Sequence, residues 1–218
     1  GGRIMDFVIL IGSCDKYSFL WEHFGYLFHK YWDKEIDVKK YIITQESDPG
    51  IEGIETIMVG DPTFGRGVKT AIDRIKPKNL LWLQDDYFLR KTIHRNLFEK
   101  YYNLFEELDA HRFGIHVNSG LYNTHYIQDN IFRIQRHSMY TIYLQASLWK
   151  ADFLYNIILE NEDPWQFEVN GTPRLNHFMD HRTFFAAEDD PPWYLEAHNK
   201  GQHTIDYHNI CREEGLHA

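Results

Sequence analysis

The sequence predicts an α/β fold in which a mixed, mostly parallel central sheet is flanked by helices within a single domain. Short apolar runs that end in polar turns alternate with amphipathic helical segments, as in doubly wound sheets. Within residues 80–88, four apolar residues lead directly into Gln84, Asp85 and Asp86 before apolar residues resume. A run that short and apolar predicts a buried parallel strand. Asp85 and Asp86 would then follow the carboxyl end of that strand, where open α/β sheets bind ligands.

The bulk composition supports one folded domain. The chain has 218 residues, of which 43% are hydrophobic and 25% charged, as is ordinary for a globular protein. The formal net charge is −9 and no basic stripe is visible, which argues against a nucleic-acid partner. Cys14 and Cys211 are too few and too widely spaced for a disulfide framework or a zinc site. No apolar run approaches the roughly 18–20 residues that cross a bilayer, so we expect no membrane span. Two unpaired cysteines and no evident signal peptide lead us to expect a cytoplasmic location.

The first half of the chain alternates strands with helices. Its strands are predicted from short apolar runs, and its helices from apolar residues that recur at intervals of three and four. Glu and Thr interrupt the third strand, so we place it nearer an edge of the sheet, and Pro77 ends the second helix. In chain order, the elements are a strand within 6–15, helix 17–31, strands 39–45 and 54–59, helix 68–75, strand 80–84 and helix 96–108.

The second half has loops rich in Asn, Tyr and His between its apolar runs. We predict strands at 113–117, 131–135 and 140–144, followed by a helix that begins within 145–154 and continues to 159 or 160. No internal repeat, low-complexity segment or clear linker divides the chain. We therefore predict one domain over residues 5–218, with functional halves 5–110 and 111–218. The sequence is also compatible with this domain being part of a longer protein.

The two adjacent carboxylates indicate a cation site. Like charges at a buried strand end repel each other and lose hydration, so a positive charge usually compensates them. Mg²⁺ and Mn²⁺ prefer carboxylate oxygens and often hold substrate phosphates as well. The alternative is that Asp85 and Asp86 only begin a loop and cap the next helix.

Five short segments of the chain, taken together with their order and spacing, have counterparts in a known family of enzymes. They are Ser13–Tyr17 after the first strand, Lys30–Trp32, Gln84–Phe88, Gln145–Lys150 and Pro164–Glu168. Together they resemble nucleotide-sugar glycosyltransferases of the GT-A fold, in particular small bacterial and chlorella-virus domains of similar length, over most of residues 6–212. GT-A enzymes commonly carry an Asp-any-Asp motif. Here Gln84 replaces the first acid, so metal binding is expected to depend on Asp86.

The resemblance implies a hexosyl- or deoxyhexosyl-transferase. Such an enzyme moves a sugar from a nucleoside diphosphate donor, with a UDP-sugar as the first expectation, to a hydroxyl of a glycan acceptor, using Mn²⁺ or Mg²⁺. The donor would bind to 5–110 and the acceptor to 111–218, in the host cytoplasm if the protein is virus-encoded. The implied donor-binding residues are Gly12, Ser13, Cys14, Asp15, Tyr17, Gln45, Arg66, Lys69 and Asp85.

The segment after the first strand has features that suit a nucleotide. Small residues allow a ligand to approach the backbone, and Tyr17 is suited to stack on a base. The alternative is an ordinary βα turn in which Ser13 or Asp15 caps a helix. Gln45 ends the second strand, where it would either bond the edge of a base or remain a polar surface residue.

The basic pair Arg66 and Lys69 lies beside two glycines, Gly65 and Gly67, at the start of a predicted helix. Basic groups in that position can reach a diphosphate, and the glycines would permit an unusual backbone turn. The alternative is a solvated basic pair without a ligand.

Metal and acceptor roles follow from the same resemblance. The metal held by Asp86 would neutralise the departing nucleoside diphosphate. Many GT-A enzymes add a histidine near the C-terminus, for which His208 is preferred over His203, although either could be structural or merely exposed. The loop 118–130, together with Trp149, Trp165 and Trp193, is a candidate acceptor groove, although buried aromatic residues more often belong to the core.

The expected base is Glu168. An inverting transferase needs a carboxylate to accept the proton of the acceptor hydroxyl, and the apolar neighbours Trp165 and Phe167 would raise the pKa of Glu168 toward the working range. Asp163 and Asp180 are weaker candidates. In a retaining enzyme Glu168 would instead position the acceptor, and the structural alternative is that it is a surface residue.

Two other functions remain open from the sequence. The first is a sugar-nucleotide-forming nucleotidyltransferase, which also uses carboxylates and Mg²⁺, although the segment that begins at Gly12 is a poor match to its Gly-rich basic loop. The second is a non-catalytic glycan-binding module, with which the loss of the first acid at Gln84 is compatible.

Overall fold

The computed structural model describes residues 5–61, 63–117, 123–178, 180–187 and 192–217. The strands are β1 Val8–Gly12, β2 Lys40–Thr44, β3 Glu55–Met58, β4 Asn79–Gln84, β5 Tyr87–Leu89, β6 Arg112–Val117, β7 Thr124–Gln128, β8 Ile131–Ile134, β9 Ser147–Lys150, β10 Thr183–Ala187, β11 Tyr194–Glu196, β12 His198–Asn199 and β13 Gln202–His203. The helices are α1 Trp21–Tyr31, α2 Phe64–Ile75, α3 Arg95–Glu107, α4 Ala151–Ile157, α5 Pro164–Phe178 and α6 Ile205–Glu214, and a 3₁₀ helix covers Asp15–Leu20.

Nine of these strands form one mixed sheet in the order β3-β2-β1-β4-β9-β6-β10-β8-β7. Strands β8 and β9 run opposite to the other seven, so the prediction of a mostly parallel sheet flanked by helices is confirmed. From β1 the chain passes outward to β2 and β3 and then returns to β4 on the other side of β1. This reversal opens a crevice at the carboxyl ends of β1 and β4, where Gly12 and Gln84 are paired neighbours.

Both faces of the sheet are buried, which explains the continuous apolar runs of its central strands. In β4, Leu81 and Leu83 face a core cluster that also contains residues of α1, α3 and α6. Leu80 and Trp82 face the opposite cluster, which contains residues of α2, α4 and α5. Two helical layers therefore cover the sheet and leave its carboxyl edge for the site.

Two predicted elements of the second half are wrong. Residues 140–144 do not form a strand, because the Ile142 and Leu144 N–H groups donate to the side chains of Thr172 (3.0 Å) and Glu168 (2.6 Å) on α5 instead of to a neighbouring strand. The segment 147–150, predicted as the entry to a helix, is strand β9, which fills the space between β4 and β6. The helix itself begins at Ala151.

The C-terminal part of the chain closes the crevice from one side. Strand β11 pairs with β5 in a small second sheet, and β12 and β13 form a short hairpin before α6. Helix α6 begins at the cap Thr204, whose Oγ1 accepts from the Tyr207 N–H at 3.1 Å, and ends at Gly215, whose φ is 68°. None of the helices placed in the described ranges has the length and apolar character that crossing a membrane requires.

Candidate functional site

A cleft of about 1010 Å³ lies at the carboxyl ends of β1 and β4. Its walls come from the segments after β1, β2 and β4, from residues 140–145, from the start of α5, and from the β12–β13 turn. The predicted site residues that line it are Gly12, Ser13, Cys14, Tyr17, Gln45, Asp85, Asp86 and Glu168.

Gly12 permits a close approach at the end of β1. A Cβ atom added there would lie 2.5 Å from Cζ2 of Trp82, which is closer than any side chain allows. The indole of Trp82 therefore packs directly against the β1 backbone at the floor of the cleft.

Asp85 is held by hydrogen bonds to its side chain and its backbone. Ser13 Oγ donates to Asp85 Oδ2 at 2.5 Å, Trp21 Nε1 donates to Ser13 Oγ at 2.7 Å, and the Asp85 N–H donates to the Gly12 carbonyl at 3.1 Å. The residue is 4% exposed. Burial raises the pKa of Asp85 to about 7, although the hydrogen bonds from Ser13 and Trp21 oppose the rise.

Asp86 is not locked in this way. Its Oδ1 atom is buried and has no hydrogen-bond partner among the described residues. Burial raises the pKa of Asp86 well above its ordinary range, and the negative charges of Asp85 and then Glu196 raise it further. An unpaired acceptor beside other carboxylates is a favourable position for a cation.

The oxygen atoms at Asp86 fit a divalent cation whose remaining ligands come from a substrate and water. In the part of the chain that the structure describes, no group of three or more His, Cys, Asp or Glu residues could hold a metal alone. Mg²⁺ is commonly held by one or two carboxylates together with substrate phosphates and water, so this arrangement fits such an ion better than it fits a structural metal.

The cleft is acidic. The carboxylates among its described lining residues are Asp85, Asp86, Glu162, Asp163, Glu168 and Glu196. Among the same residues Lys200 is the one lysine or arginine, and it lies in the turn between β12 and β13 with φ at 49°. This excess of negative charge is a second reason for a cation to bind near Asp86.

Asp15 and Gln45 hold each other. The Asp15 carboxylate accepts from the N–H groups of Gln45 (2.9 Å), Glu46 (3.1 Å) and Ser47 (3.0 Å), and Gln45 Oε1 accepts from the Asp15 N–H at 2.6 Å. Asp15 thus joins the segments after β1 and β2, and it does not line the cleft, whereas Gln45 does. Tyr17 packs edge-on against His198, with ring centroids 5.3 Å apart.

The predicted basic pair lies away from the cleft. Helix α2 begins at Phe64, earlier than predicted, and its first N–H groups, those of Gly65 and Arg66, donate to the carbonyls of Glu162 and Glu160. Arg66 Nη1 lies 2.7 Å from Asp61 Oδ2, and Lys69 Nζ lies 4.4 Å from the centre of the Tyr155 ring. Their role at a diphosphate remains a prediction that these contacts do not favour.

His208 is also outside the cleft lining. Its ring packs edge-on against Tyr207 at 5.3 Å and against His203 at 6.0 Å, and His203 in turn stacks on Tyr207 at 3.9 Å. His198, which comes earlier in the same region, is the histidine that lines the cleft. A metal-binding role for His208 or His203 remains a prediction.

Glu168 lies on α5 and reaches the cleft. Its Oε1 accepts from the Leu144 N–H at 2.6 Å. Burial raises the pKa of Glu168, whereas this hydrogen bond and the charge of Arg112 oppose the rise. Arg112 is fully buried, with its guanidinium 3.2 Å from the centre of the Tyr143 ring, which also lines the cleft.

The weaker candidates for the base have other partners. Asp163 lines the cleft, but its carboxylate accepts from the Gln166 N–H at 2.7 Å while Gln166 Oε1 accepts from the Asp163 N–H at 3.0 Å. This reciprocal pair caps the start of α5. Asp180 is exposed, lies 3.8 Å from Arg133 and does not line the cleft.

The candidate acceptor groove is only partly as expected. Trp165 lines the cleft and is 67% exposed, whereas Trp149 and Trp193 are 0% and 1% exposed and belong to the core, so the expectation that they line a groove is wrong. Of the loop 118–130, residues 118–122 lie outside the described residues, and 124–128 form β7 at the far edge of the sheet.

Sequence reasoning missed Glu196 and Lys200. The sequence did hold a signal for Glu196, since the apolar run 193–195 leads into it just as the run in β4 leads into Gln84 and Asp85. The pairing of β11 with β5 and the bond from the Ala197 N–H to the Asp86 carbonyl at 2.7 Å bring this segment to the site.

Comparisons with known proteins agree with this architecture. No family model matches the sequence, and no curated protein matches it. Among solved structures, S. aureus TarS has 11% identity and a TM-score of 0.57, with 96% of this chain and 39% of that chain covered. TarS 1-349 in complex with UDP-GlcNAc has 12% identity and a TM-score of 0.58, with 96% and 65% covered.

The complex of TarS 1-349 with UDP has 12% identity and a TM-score of 0.55, with 87% of this chain and 60% of that chain covered. The present chain therefore spans less than two thirds of the length of each of these structures. At these identities the likeness concerns the fold, and the GT-A-like fold that the sequence predicted is confirmed.

Proposed function

We propose that this chain is a metal-dependent glycosyltransferase that moves a hexosyl or deoxyhexosyl group from a nucleoside diphosphate donor to a hydroxyl of a glycan acceptor. The observation that carries the proposal is the Asp86 carboxylate, whose buried Oδ1 has no partner among the described residues at the carboxyl edge of a GT-A-like sheet. An open carboxylate oxygen in an acidic cleft is where a cation and a diphosphate would bind together.

The donor is a UDP-sugar in this proposal. TarS, whose fold is similar, has been crystallised with UDP-GlcNAc and with UDP. On this chain Tyr17 and Gln45 line the part of the cleft next to β1 and β2, which suits a base. Asp86 and Lys200 line the same cleft, and we assign the diphosphate to them.

Mn²⁺ or Mg²⁺ is the cofactor in this proposal, and it would supply positive charge to the leaving diphosphate. Asp86 would hold it directly, while Asp85, fixed by Ser13, orients the strand end and adds negative charge. Lys200 would neutralise the remaining charge on the phosphates.

Glu168 is the proposed base. It accepts the proton of the acceptor hydroxyl as the oxygen of that hydroxyl bonds to the anomeric carbon. The bond from this carbon to the diphosphate oxygen breaks, and the nucleoside diphosphate leaves with the electron pair. Because burial raises the pKa of Glu168, its carboxylate is a stronger base than an exposed one. This role predicts inversion at the anomeric carbon.

The experiment is an assay of product release with Mn²⁺, UDP-hexoses or GDP-deoxyhexoses, and methyl glycosides as acceptors. The proposal predicts release of the nucleoside diphosphate, stimulated by the glycoside, and a product of inverted configuration. Pyrophosphate release from UTP and a sugar 1-phosphate would instead identify a nucleotidyltransferase. Glycan binding without turnover of any donor would identify a binding module.

A further inference from the structure

Trp165 is a large apolar side chain that the cleft leaves open. It lies in the first turn of α5, lines the cleft and is 67% exposed, whereas Phe167 in the same turn is fully buried. Residues three apart lie on the same side of a helix, so Trp165 and Glu168 belong to one face of α5. The indole is thus exposed within the cleft, next to the proposed base, where a ligand can contact it.

Hydrogen bonds hold the backbone on both sides of Trp165. The reciprocal pair of Asp163 and Gln166 caps the turn that carries the indole. One turn further along, Glu168 and Thr172 accept from the backbone of residues 140–144 and hold that segment against α5. These bonds hold the helix start that carries Trp165, which reduces the backbone ordering that ligand binding would cost.

The segment 140–144 brings a second aromatic residue to the cleft. Tyr140 lines it and has φ at 53°, a left-handed conformation that is unfavourable for an aromatic residue. Backbone strain of this kind collects at ligand sites, where the surrounding structure maintains it. Trp165 and Tyr140 both line the cleft from the second half of the chain, Trp165 on α5 and Tyr140 on the segment that α5 holds.

We propose that Trp165 and Tyr140 form the acceptor subsite, and that its ligand is a pyranose ring. The apolar C–H face of the ring stacks on the indole and the hydroxyl that receives the sugar is presented to Glu168. The flat faces of aromatic rings match the C–H face of a pyranose, whereas an acyclic polyol offers no such face. This inference rests on the proposed function and specifies the acceptor class.

Saturation-transfer NMR tests the subsite without turnover. Methyl α- and β-hexopyranosides are added to the protein with UDP and Mg²⁺, which is diamagnetic and leaves the ligand signals sharp, and sorbitol serves as the acyclic probe. We expect saturation of the ring C–H protons with wild type and with Trp165→Phe, loss of it with Trp165→Ala, and none for sorbitol. Tyr126, which is 58% exposed on β7 and outside the cleft lining, provides the control Tyr126→Ala, which should behave as wild type.

Kinetics provide the second measurement. Trp165→Ala should raise KM for the methyl pyranoside about tenfold, with a much smaller change in the Kd of UDP, because the lost contact involves only the acceptor. Unchanged saturation and KM in Trp165→Ala, or no saturation of any pyranoside by wild type, would overturn the subsite. Absence of donor turnover with pyranoside saturation intact would instead count against the proposed function.

Discussion

Ser13 donates a hydrogen bond of 2.5 Å to Asp85, and this contact joins the ends of β1 and β4 at the point where the strand order of the sheet reverses. It also distinguishes two neighbouring carboxylates. Asp85 is held by Ser13, whose hydroxyl accepts in turn from Trp21, whereas Asp86 keeps a buried oxygen without a partner among the described residues. One acid therefore maintains the edge of the cleft and the other remains available for a ligand.

Removal of the Ser13 hydroxyl should destabilise the fold. In Ser13→Ala, Asp85 loses the Ser13 hydroxyl donor and the Trp21 N–H loses its bond to that hydroxyl, so we expect the free energy of unfolding to fall by about 1–3 kcal/mol in urea denaturation. Ser47→Ala is the matched control, because Ser47 Oγ also donates to a carboxylate, that of Asp15, but in an exposed hydrogen bond. It should cost about 0.5 kcal/mol or less. Equal losses in the two variants would contradict the structural role of Ser13.

Lys200 should matter more to the donor than the basic pair predicted from the sequence. Lys200→Ala should raise the Kd of UDP about ten- to hundredfold, because the contact between the Lys200 ammonium and the negatively charged diphosphate is lost. The weak binding of uridine, which has no phosphate, should not change. Calorimetric titration measures both constants. Lys69→Ala is the control, since Lys69 packs over Tyr155 outside the cleft lining. A larger increase in Kd for Lys69→Ala than for Lys200→Ala would support the assignment of Lys69 to the diphosphate that the sequence suggested.

Buried Arg112 should control the pH range of transfer through Glu168. The charge of Arg112 lowers the pKa of Glu168 and partly offsets the larger effect of burial. A base acts when deprotonated, so Arg112→Met should move the acid limb of the kcat/KM profile to higher pH, while Arg112→Lys, which keeps the charge, should move it less. Near-ultraviolet circular dichroism confirms that each variant is folded. An acid limb at the same pH in Arg112→Met would count against Glu168 as the base.

His181 should make the fold sensitive to acid. It is 1% exposed, neither ring nitrogen has a partner among the described residues, and burial lowers its pKa from 6.5 to about 4. Between these values the unfolded chain binds the proton and the folded chain does not. The neutral His181 therefore contributes fully to the free energy of unfolding above pH 6.5, and this contribution is lost as the pH falls toward 4.

Substitution of His181 provides the test. The free energy of unfolding of His181→Leu should fall less between pH 6.5 and 4 than that of wild type, as measured by denaturation at each pH. His125→Leu, at an exposed position on β7, should keep the wild-type slope. The same slope in His181→Leu and wild type would show that another group governs the acid response.

The elements predicted correctly are those whose pattern is local. Strand β4 was recognisable because both its faces are buried, with Leu81 and Leu83 toward one helical layer and Leu80 and Trp82 toward the other. The acids that follow it were placed at the ligand edge for the same reason. These inferences needed only the apolar run and its abrupt end.

The wrong predictions concern residues whose partners are distant in sequence. Ile142 and Leu144 are apolar and buried, as in a strand, but their N–H groups donate to α5 side chains more than twenty positions away. Glu196 and Lys200 reach the cleft only because β11 pairs with β5. The apolar run 193–195 marks a strand that ends at Glu196, but nothing in the sequence shows that this strand pairs with β5.

The most direct test of the account is the calorimetric titration of UDP into the protein with Mn²⁺ and then with EDTA, for wild type, Asp86→Asn and Asp163→Asn. Asp163 also lines the cleft, but asparagine can still cap α5 there, so this variant is the control. Wild type and Asp163→Asn should bind UDP only with Mn²⁺, and Asp86→Asn should not bind it. UDP binding that survives both EDTA and Asp86→Asn, or no UDP binding by wild type, would contradict this prediction.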